Sequence, residues 1–170
     1  MRIAFYGGQT AGLVVLLTLL AKDYDIVFVI PEDELINHAA KLFKLKIKSK
    51  LFLNKKSFIK ELKERVDLLI CCHGREILPN ELIHNLKCIN LHPCLYKYKG
   101  ARPVMRLIKD KNPKASVGSH WMVSKVDSGS VILEKFKKIK SVQSKTEAEV
   151  YNELYPVYVE VIIESLKKLG

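Results

Sequence analysis

Short apolar segments alternate with helical patterns along the first half of the chain, and this alternation constrains the fold more than any other feature. Buried strands are indicated by apolar segments at residues 2–6, 25–30, 66–72 and 86–91. Between them, apolar residues recur at helical spacing over 12–22, over 32–43 and around 58–62. Strands that alternate with helices join through right-handed crossovers, so the pattern predicts a mostly parallel sheet with helices on both faces.

The alternation changes after residue 110. Two further strands are predicted at 115–122 and 131–139, followed by a helix at about 145–168, which Pro156 should bend or divide. The chain has 170 residues, a length typical of one domain. We therefore predict an α/β, Rossmann-like fold with a mostly parallel twisted sheet of about six or seven strands. Residues 1–170 would form a single domain with its core at 1–139.

The chain is strongly basic, with a formal net charge of +11 from 29 basic and 18 acidic residues. Of the basic residues, 24 are lysine and five are arginine, and they are spread along the whole chain. Base reading and bidentate phosphate binding favour clustered arginine. The pattern therefore argues against a nucleic-acid partner and favours solvated lysines together with an anionic small substrate.

The cysteines and the apolar stretches indicate the setting of the protein. Cys71, Cys72 and Cys88 lie within apolar runs and lack the spacing of zinc ligands. A reducing, cytoplasmic location without a metal site is therefore expected. The longest mostly apolar stretch, Ala11 to Ala21, is too short to cross a bilayer, so no membrane contact is expected.

Ligands of open α/β sheets bind beyond the carboxyl ends of the parallel strands. Three loops leave such ends, at 7–12, 73–79 and 92–100. The first reads GGQTAG, and its glycines and helix amides could cradle a phosphate near Gly8 and Thr10, with Thr10 as the helix N-cap. This loop lacks the spacing of a dinucleotide fingerprint and the lysine of a P-loop, so a tight turn explains it at least as well.

Polar side chains with catalytic potential follow the fourth predicted strand. Asn90 and His92 are two residues apart and therefore face the same side of a strand. The amide can donate to a developing oxyanion and the imidazole can move protons, while the carboxylate of Asp127 could orient the ring. Each has a plainer explanation, since single histidines are often structural and Asp-Ser-Gly suits a turn. His73 is a weaker candidate, and His120 could be a partly buried strand residue.

Two blocks of sequence resemble the formyltransferases that use 10-formyltetrahydrofolate. They read INLHPCLYKYKG at 89–100 and SVGSHWMVSKVDSGSVI at 116–132. The resemblance extends from Met1 to about Ile139. It implies that Asn90, His92 and Asp127 form the catalytic set and that 10-formyltetrahydrofolate is the formyl donor. Metal catalysis is not expected, because His73 and His92 have no obvious third protein ligand.

The resemblance also assigns loops around this catalytic set. HGREILP at 73–79 is similar to the loop whose main chain holds the pterin ring of the folate. We expect the donor to contact this loop and the one before Asp127, through Gly74, Arg75, Ile77, Leu78, Val123 and Val126. We expect a phosphate-bearing acceptor to contact the first loop and the loop after His92, through Gly8, Thr10, Tyr96, Lys97, Tyr98, Lys99 and Arg102.

The usual acceptors of such enzymes are glycinamide ribonucleotide, methionyl-tRNA and nucleotide-linked amino sugars. The first loop does not match the Gly-Ser-Asn phosphate loop of the purine enzyme. The loop after His92 lacks the usual Leu-Leu-Pro, and no second domain that grips tRNA is expected after the core.

The expected acceptor is therefore a dTDP- or UDP-linked amino sugar, with glycinamide ribonucleotide second. A catalytically inactive binding module for folate or nucleotide is the alternative from another class, and a homodimer is left open.

Overall fold

The computed structural model describes residues 1–170 and contains six strands and six α-helices. The strands are β1 (Arg2–Gly7), β2 (Asp25–Pro31), β3 (Leu68–Cys72), β4 (Cys88–Pro93), β5 (Lys114–Trp121) and β6 (Val131–Lys138). The helices are α1 (Gln9–Ala21), α2 (Glu34–Leu42), α3 (Lys56–Arg65), α4 (Asn80–Asn85), α5 (Pro103–Lys109) and α6 (Glu147–Leu169). Short 3-10 turns lie at Lys50–Phe52 and Val142–Ser144.

All six strands form one sheet in the order β2-β1-β3-β4-β5-β6. The pairs among β1, β2, β3 and β4 are parallel, whereas β5 is antiparallel to both of its neighbours. The predicted Rossmann-like α/β fold is confirmed, with six strands. Because β2 and β3 lie on opposite sides of β1, the chain reverses its direction of winding there. A crevice opens at such a point beyond the carboxyl ends of the strands.

Apolar side chains cover both faces of the sheet. The larger cluster of 29 buried residues lies on the face covered by α1, α2, α5 and α6. The smaller cluster of 15 buried residues includes side chains of α3 and α4 on the opposite face. Helices thus cover both faces, as the alternating pattern predicts, and the crevice lies at one end of a rigid layered core.

The start of α1 differs from the sequence prediction. Gly8, in extended conformation, is the N-cap of α1, so Thr10 lies inside the helix and the prediction of Thr10 as its cap is wrong. Lys55 occupies the N-cap of α3 without a side-chain hydrogen bond. Packing against the sheet determines both starts, because neither helix depends on a polar cap.

Helix α6 is continuous through Pro156, which we expected to bend or divide it. Proline removes one helical N–H and leaves the carbonyl group four residues earlier without its partner. Both Pro156 and Asn152 are exposed, so water can satisfy that carbonyl. Buried side chains from Val150 to Leu166 hold the helix against the larger core cluster. The length and apolar content that a membrane-spanning helix needs are found in none of the helices.

Candidate active site

The residues of the predicted catalytic set lie together at the crevice. Asn90 and His92 are on β4, and Asp127 lies in the loop between β5 and β6. Asn90 Nδ2 is 3.3 Å from Asp127 Oδ1, and His92 Nε2 is 3.0 Å from Asp127 Oδ2. Gly129 allows this loop to fold back tightly, because a Cβ atom there would lie 1.7 Å from the carbonyl oxygen of Trp121. The antiparallel pairing of β5 thus returns the carboxylate to β4.

Asp127 is the centre of the cluster. The backbone N–H of Gly100 donates to its Oδ2 over 2.8 Å, in addition to the contacts with β4. Burial by itself would raise the pKa of this carboxyl. The contacts with His120 and His92, together with the hydrogen bond from Gly100, outweigh burial and hold the pKa of Asp127 far below its usual range. The residue is therefore an anion throughout the physiological pH range.

His92 presents one ring nitrogen to the protein and leaves the other free. Its Nε2 lies near two acceptors, Asp127 Oδ2 at 3.0 Å and the carbonyl oxygen of Gly100 at 3.2 Å, so Nε2 carries a proton. Its Nδ1 is buried and has no hydrogen-bond partner. An orphaned nitrogen in a nearly buried ring needs an explanation, and a proton-transfer role supplies one.

His120 joins the cluster from β5, directly opposite Asn90 in the strand pairing. Its Nδ1 donates to the carbonyl oxygen of Trp121 over 2.9 Å. Its Nε2 lies 3.3 Å from Asn90 Nδ2 and 3.4 Å from Asp127 Oδ1. The ring is 1% exposed, so its orientation is fixed by these partners. His120 is thus built into the support of the catalytic set.

The orientation of the Asn90 amide follows from these distances. Because Asp127 is ionised, the amide must present its nitrogen to it. The three polar atoms form a nearly equilateral triangle with sides of 3.3, 3.3 and 3.4 Å. Seen from Nδ2, the two neighbours are therefore about 60° apart, whereas the two N–H bonds of an amide diverge by about 120°. The amide therefore cannot aim one N–H directly at each neighbour; Nδ2 faces both, and Asn90 also lines the cavity, where its amide can meet a substrate.

The cluster lies on the wall of a cavity of about 930 Å³. Four of its lining residues other than glycine have positive φ angles: Gln9 (57°), His73 (57°), Arg102 (51°) and Asp127 (48°). Left-handed backbone costs energy for such residues and concentrates at functional sites. No three side chains of His, Cys, Asp and Glu are grouped so that they could hold a metal ion.

The six residues predicted to contact the donor all line this cavity: Gly74, Arg75, Ile77, Leu78, Val123 and Val126. The side chains of Ile77, Val123 and Val126 are 76%, 43% and 54% exposed. The backbone N–H groups of Ile77 and Leu78 donate to no protein acceptor. Exposed apolar side chains beside free amides suit a flat ring with polar edges, so these residues fit a folate.

Of the seven residues predicted to contact the acceptor, only Arg102 lines the cavity. The hydroxyl group of Tyr96 donates to the carbonyl oxygen of Lys114, and Lys97 and the buried Tyr98 both bond Asp110. These side chains have internal partners because the loop after β4 turns away from the crevice. Gly8, Thr10 and Lys99 also lie outside the cavity lining.

His73, the weaker candidate, lines the cavity but has both ring nitrogens occupied. Nδ1 lies 2.9 Å from Gln9 Oε1, and Nε2 lies 2.8 Å from the hydroxyl of Tyr158. Burial, assisted by the neighbouring His92, lowers the pKa of His73 to about 4. The ring is therefore neutral and serves to join the β3 loop to α1 and α6.

Comparison with known proteins decides the family. The family model described as "Formyl transferase" matches residues 1–166. The chain belongs to the formyl transferase family. This confirms the resemblance seen in the sequence.

Similar proteins place this formyl transferase among enzymes with different acceptors in their names. A methionyl-tRNA formyltransferase of Thermotoga maritima is 31% identical over 69% of this chain, which spans 38% of that relative's length. The structure of a phosphoribosylglycinamide formyltransferase from Campylobacter jejuni has a TM-score of 0.80 and 21% identity, covering 99% of this chain and 97% of that one. A sugar N-formyltransferase from a Shewanella species has a TM-score of 0.78 and 19% identity, covering 98% and 68%. At such identities the structures show a shared fold.

Sequence reasoning about this formyl transferase missed three residues of the cavity region. His120 was read as an ordinary strand residue, although its place opposite Asn90 would follow from the strand register. Glu147 and Tyr151 line the cavity from the first turns of α6, which was treated only as a packing helix. Glu147 is partly buried and forms no ion pair or hydrogen bond within the protein, so its carboxylate is available to a ligand.

Proposed function

We propose that this formyl transferase moves the formyl group of 10-formyltetrahydrofolate to the amine of a nucleotide-linked amino sugar. The observation that carries the proposal is the cluster of Asn90, His92 and Asp127 on the wall of a cavity of about 930 Å³. That volume lies near the upper end of the range of about 300–1,000 Å³ for small-molecule sites, so it suits parts of two substrates side by side.

The cluster supplies each group that the reaction needs. The neutral amine of the acceptor attacks the formyl carbon, and negative charge develops on the formyl oxygen. The amide of Asn90 would donate to that oxygen. The imidazole of His92 would accept the proton that the amine loses, while Asp127 stabilises the resulting imidazolium through Nε2. The bond between the formyl carbon and N10 of the folate then breaks, and N10 takes that proton, which gives a formamide and tetrahydrofolate.

The amino terminus of α1 supports a sugar-nucleotide acceptor over glycinamide ribonucleotide. The backbone N–H of Gln9 donates to Asp33 Oδ2 over 2.6 Å, and that of Ile36 donates to Asp33 Oδ1 over 3.1 Å. A carboxylate of the protein thus occupies the helix end that would otherwise attract a phosphate. A ligand phosphate placed there would meet a like charge.

Other groups on the cavity wall suit a nucleotide-linked sugar. Arg102 is exposed, lines the cavity and has no acidic partner, so it can bind a diphosphate. Tyr151 offers an aromatic face, and the unpaired carboxylate of Glu147 can accept hydrogen bonds from sugar hydroxyls. Together they give the acceptor an anionic, an aromatic and a hydrogen-bonding contact.

A direct assay tests both the reaction and the acceptor. The protein would be incubated with 10-formyltetrahydrofolate and, in separate reactions, with dTDP- or UDP-linked amino sugars, glycinamide ribonucleotide and methionyl-tRNA. We expect tetrahydrofolate release and a formylated product with a sugar nucleotide. Transfer to glycinamide ribonucleotide alone would overturn the acceptor but keep the reaction. Binding of 5-formyltetrahydrofolate without transfer to any amine would instead support an inactive binding module.

A further inference from the structure

A buried polar network lies beneath the loop at residues 73–79. The Tyr6 hydroxyl, on β1, donates to Glu32 Oε2 over 2.5 Å. Lys50 Nζ donates to Glu32 Oε1 over 2.7 Å and lies 3.5 Å from a carboxylate oxygen of Glu76. Tyr6 is 1% exposed and the Glu32 side chain 5% exposed. Groups this well buried keep their partners, because water cannot replace them.

The network holds the main chain of the loop. The backbone N–H of Arg75 lies 3.1 Å from the Tyr6 hydroxyl oxygen and 3.2 Å from Glu32 Oε2, and that of Glu76 donates to the same hydroxyl oxygen over 2.9 Å. Gly74 lies flat on the tyrosine ring, since a Cβ atom there would come within 2.3 Å of Tyr6 Cε1. The side chain of Tyr6 is therefore the main contact that holds the main chain of the 73–79 loop to the core.

The anchored amides and the free amides follow one another in the chain. Those of Arg75 and Glu76 point inward to the network, whereas those of Ile77 and Leu78 have no protein acceptor. Ile77 is 76% exposed at the cavity wall. Fixing the first pair determines where the second pair and the Ile77 side chain can lie.

We propose that Tyr6 is a positioning residue for the formyl donor: with Glu32 and Lys50 it holds the 74–78 loop in the conformation that receives the ring of the folate. This inference rests on the proposed function. Tyr6 on β1 and Glu32 after β2 would thus contribute to donor binding without touching the reacting atoms. Tyr6 would affect donor affinity through the preformed shape of the loop.

Replacing Tyr6 by Phe tests the proposal, because it removes the hydroxyl and keeps the ring on which Gly74 packs. Two readouts would be measured on the full chain: the Kd of 5-formyltetrahydrofolate by calorimetry, and the rate of tryptic cleavage after Arg75. We expect Tyr6→Phe to raise the Kd about tenfold, the effect of losing roughly one net hydrogen bond, and to accelerate cleavage. The KM for the acceptor should stay within about twofold.

Matched variants separate positioning from general stability. Tyr98→Phe removes another buried tyrosine hydroxyl, which donates to Asp110 away from the cavity, and should leave donor affinity unchanged. Lys50→Arg should retain donor affinity by keeping the charge beside Glu32, whereas Lys50→Met should weaken it.

Unchanged donor affinity and cleavage in Tyr6→Phe would overturn the inference while leaving the proposed function in place. Equal weakening by Tyr98→Phe would overturn it as well. If the wild-type protein binds no folate analogue, the proposed function fails together with the role of Tyr6 in donor binding.

Discussion

Replacing Asp127 by Asn is the sharpest test of the catalytic cluster, because it removes one charge and keeps the shape of the side chain. The carboxylate accepts from Gly100 N and His92 Nε2 at one oxygen and faces Asn90 Nδ2 and His120 Nε2 with the other. An asparagine has a single oxygen. If it faces Gly100 and His92, its amide nitrogen meets the nitrogen of Asn90; if it faces Asn90, both Gly100 and His92 lose this acceptor. At least one donor thus loses its partner in either orientation.

The expected loss of activity follows from these contacts. A hydrogen bond to a charged group contributes about 1.5–3 kcal/mol, and the bond to His92 gains most when the ring is protonated in the transition state. A misdirected Asn90 adds about 1 kcal/mol. The sum of about 2.5–4 kcal/mol corresponds to a fall in kcat/KM of about 10²–10³-fold. The unpaired donor should lower the free energy of unfolding by about 1–3 kcal/mol, so the variant should still fold.

The assay is the formyl-transfer reaction with the best acceptor, and the control is Asp110→Asn. Asp110 also accepts hydrogen bonds, from Tyr98 and Lys97, but lies outside the cavity. The Asp110→Asn variant should retain nearly full activity. A folded Asp127→Asn variant within tenfold of wild-type kcat/KM would refute the assignment of the cluster.

Asp127 should also leave a signature in the pH dependence of stability. Its pKa is lower in the folded protein than in the unfolded chain, so the folded state binds the proton more weakly. The stabilisation is complete above the unfolded pKa of about 3.9 and is lost as the pH falls below it. Urea unfolding should show the difference between wild type and Asp127→Asn shrinking below about pH 4, and a constant difference would contradict the depressed pKa.

Three further predictions address the rest of the cavity. Ile77→Asp should weaken binding of 5-formyltetrahydrofolate at least tenfold in calorimetry, because an unpaired carboxylate would face the apolar ring; equal binding would remove the donor from this wall. Glu147→Gln should raise the KM for the acceptor several-fold but not that for the donor, while the Lys145-paired Glu153→Gln on the same helix should change neither. His73, with a folded pKa of about 4, binds its proton more weakly than the unfolded chain, so wild-type stability should fall by about 1–3 kcal/mol as the pH drops from 6.5 towards 4. His73→Gln should lose less over that range, and parallel curves would contradict the shift.

The fold could be predicted from the sequence because the strands of the parallel part are short, mostly apolar segments separated by helical patterns. Ile70 and Ile89 are fully buried in the middle of their strands, and only strands covered on both faces read this way. The starts of the helices could not be predicted as well. Thr10, a good capping residue, is the second residue of α1, because the helix begins earlier, with Gly8 as its cap.

The positions of the catalytic candidates could be predicted from the sequence, whereas most of the acceptor contacts could not. Asn90 and His92 are fixed by strand alternation, which spacing reveals. Lys97 and Tyr98 were expected in the cavity because they are basic and aromatic and follow His92. Their direction depends on Cys94, whose left-handed backbone (φ 55°) turns the chain so that both side chains reach Asp110 instead. Residue type does not reveal such a turn.

The change from parallel to antiparallel pairing after β4 explains why the cluster draws its residues from β4, from β5 and from the loop after β5. If β5 were parallel to β4, a long crossover connection would have to precede it before the loop after β5 could lie near the carboxyl end of β4. Instead, the short helix α5 reverses the chain, and β5 runs back along β4 with His120 opposite Asn90. Asp127 lies in the loop that follows β5, and the backbone N–H of Gly100, in the loop after β4, donates a hydrogen bond to its carboxylate. Support and catalytic groups thus share neighbouring backbone segments. A small shift in the β4–β5 register would move His120 away from Asn90 and alter the orientation of the amide that we propose donates to the oxyanion.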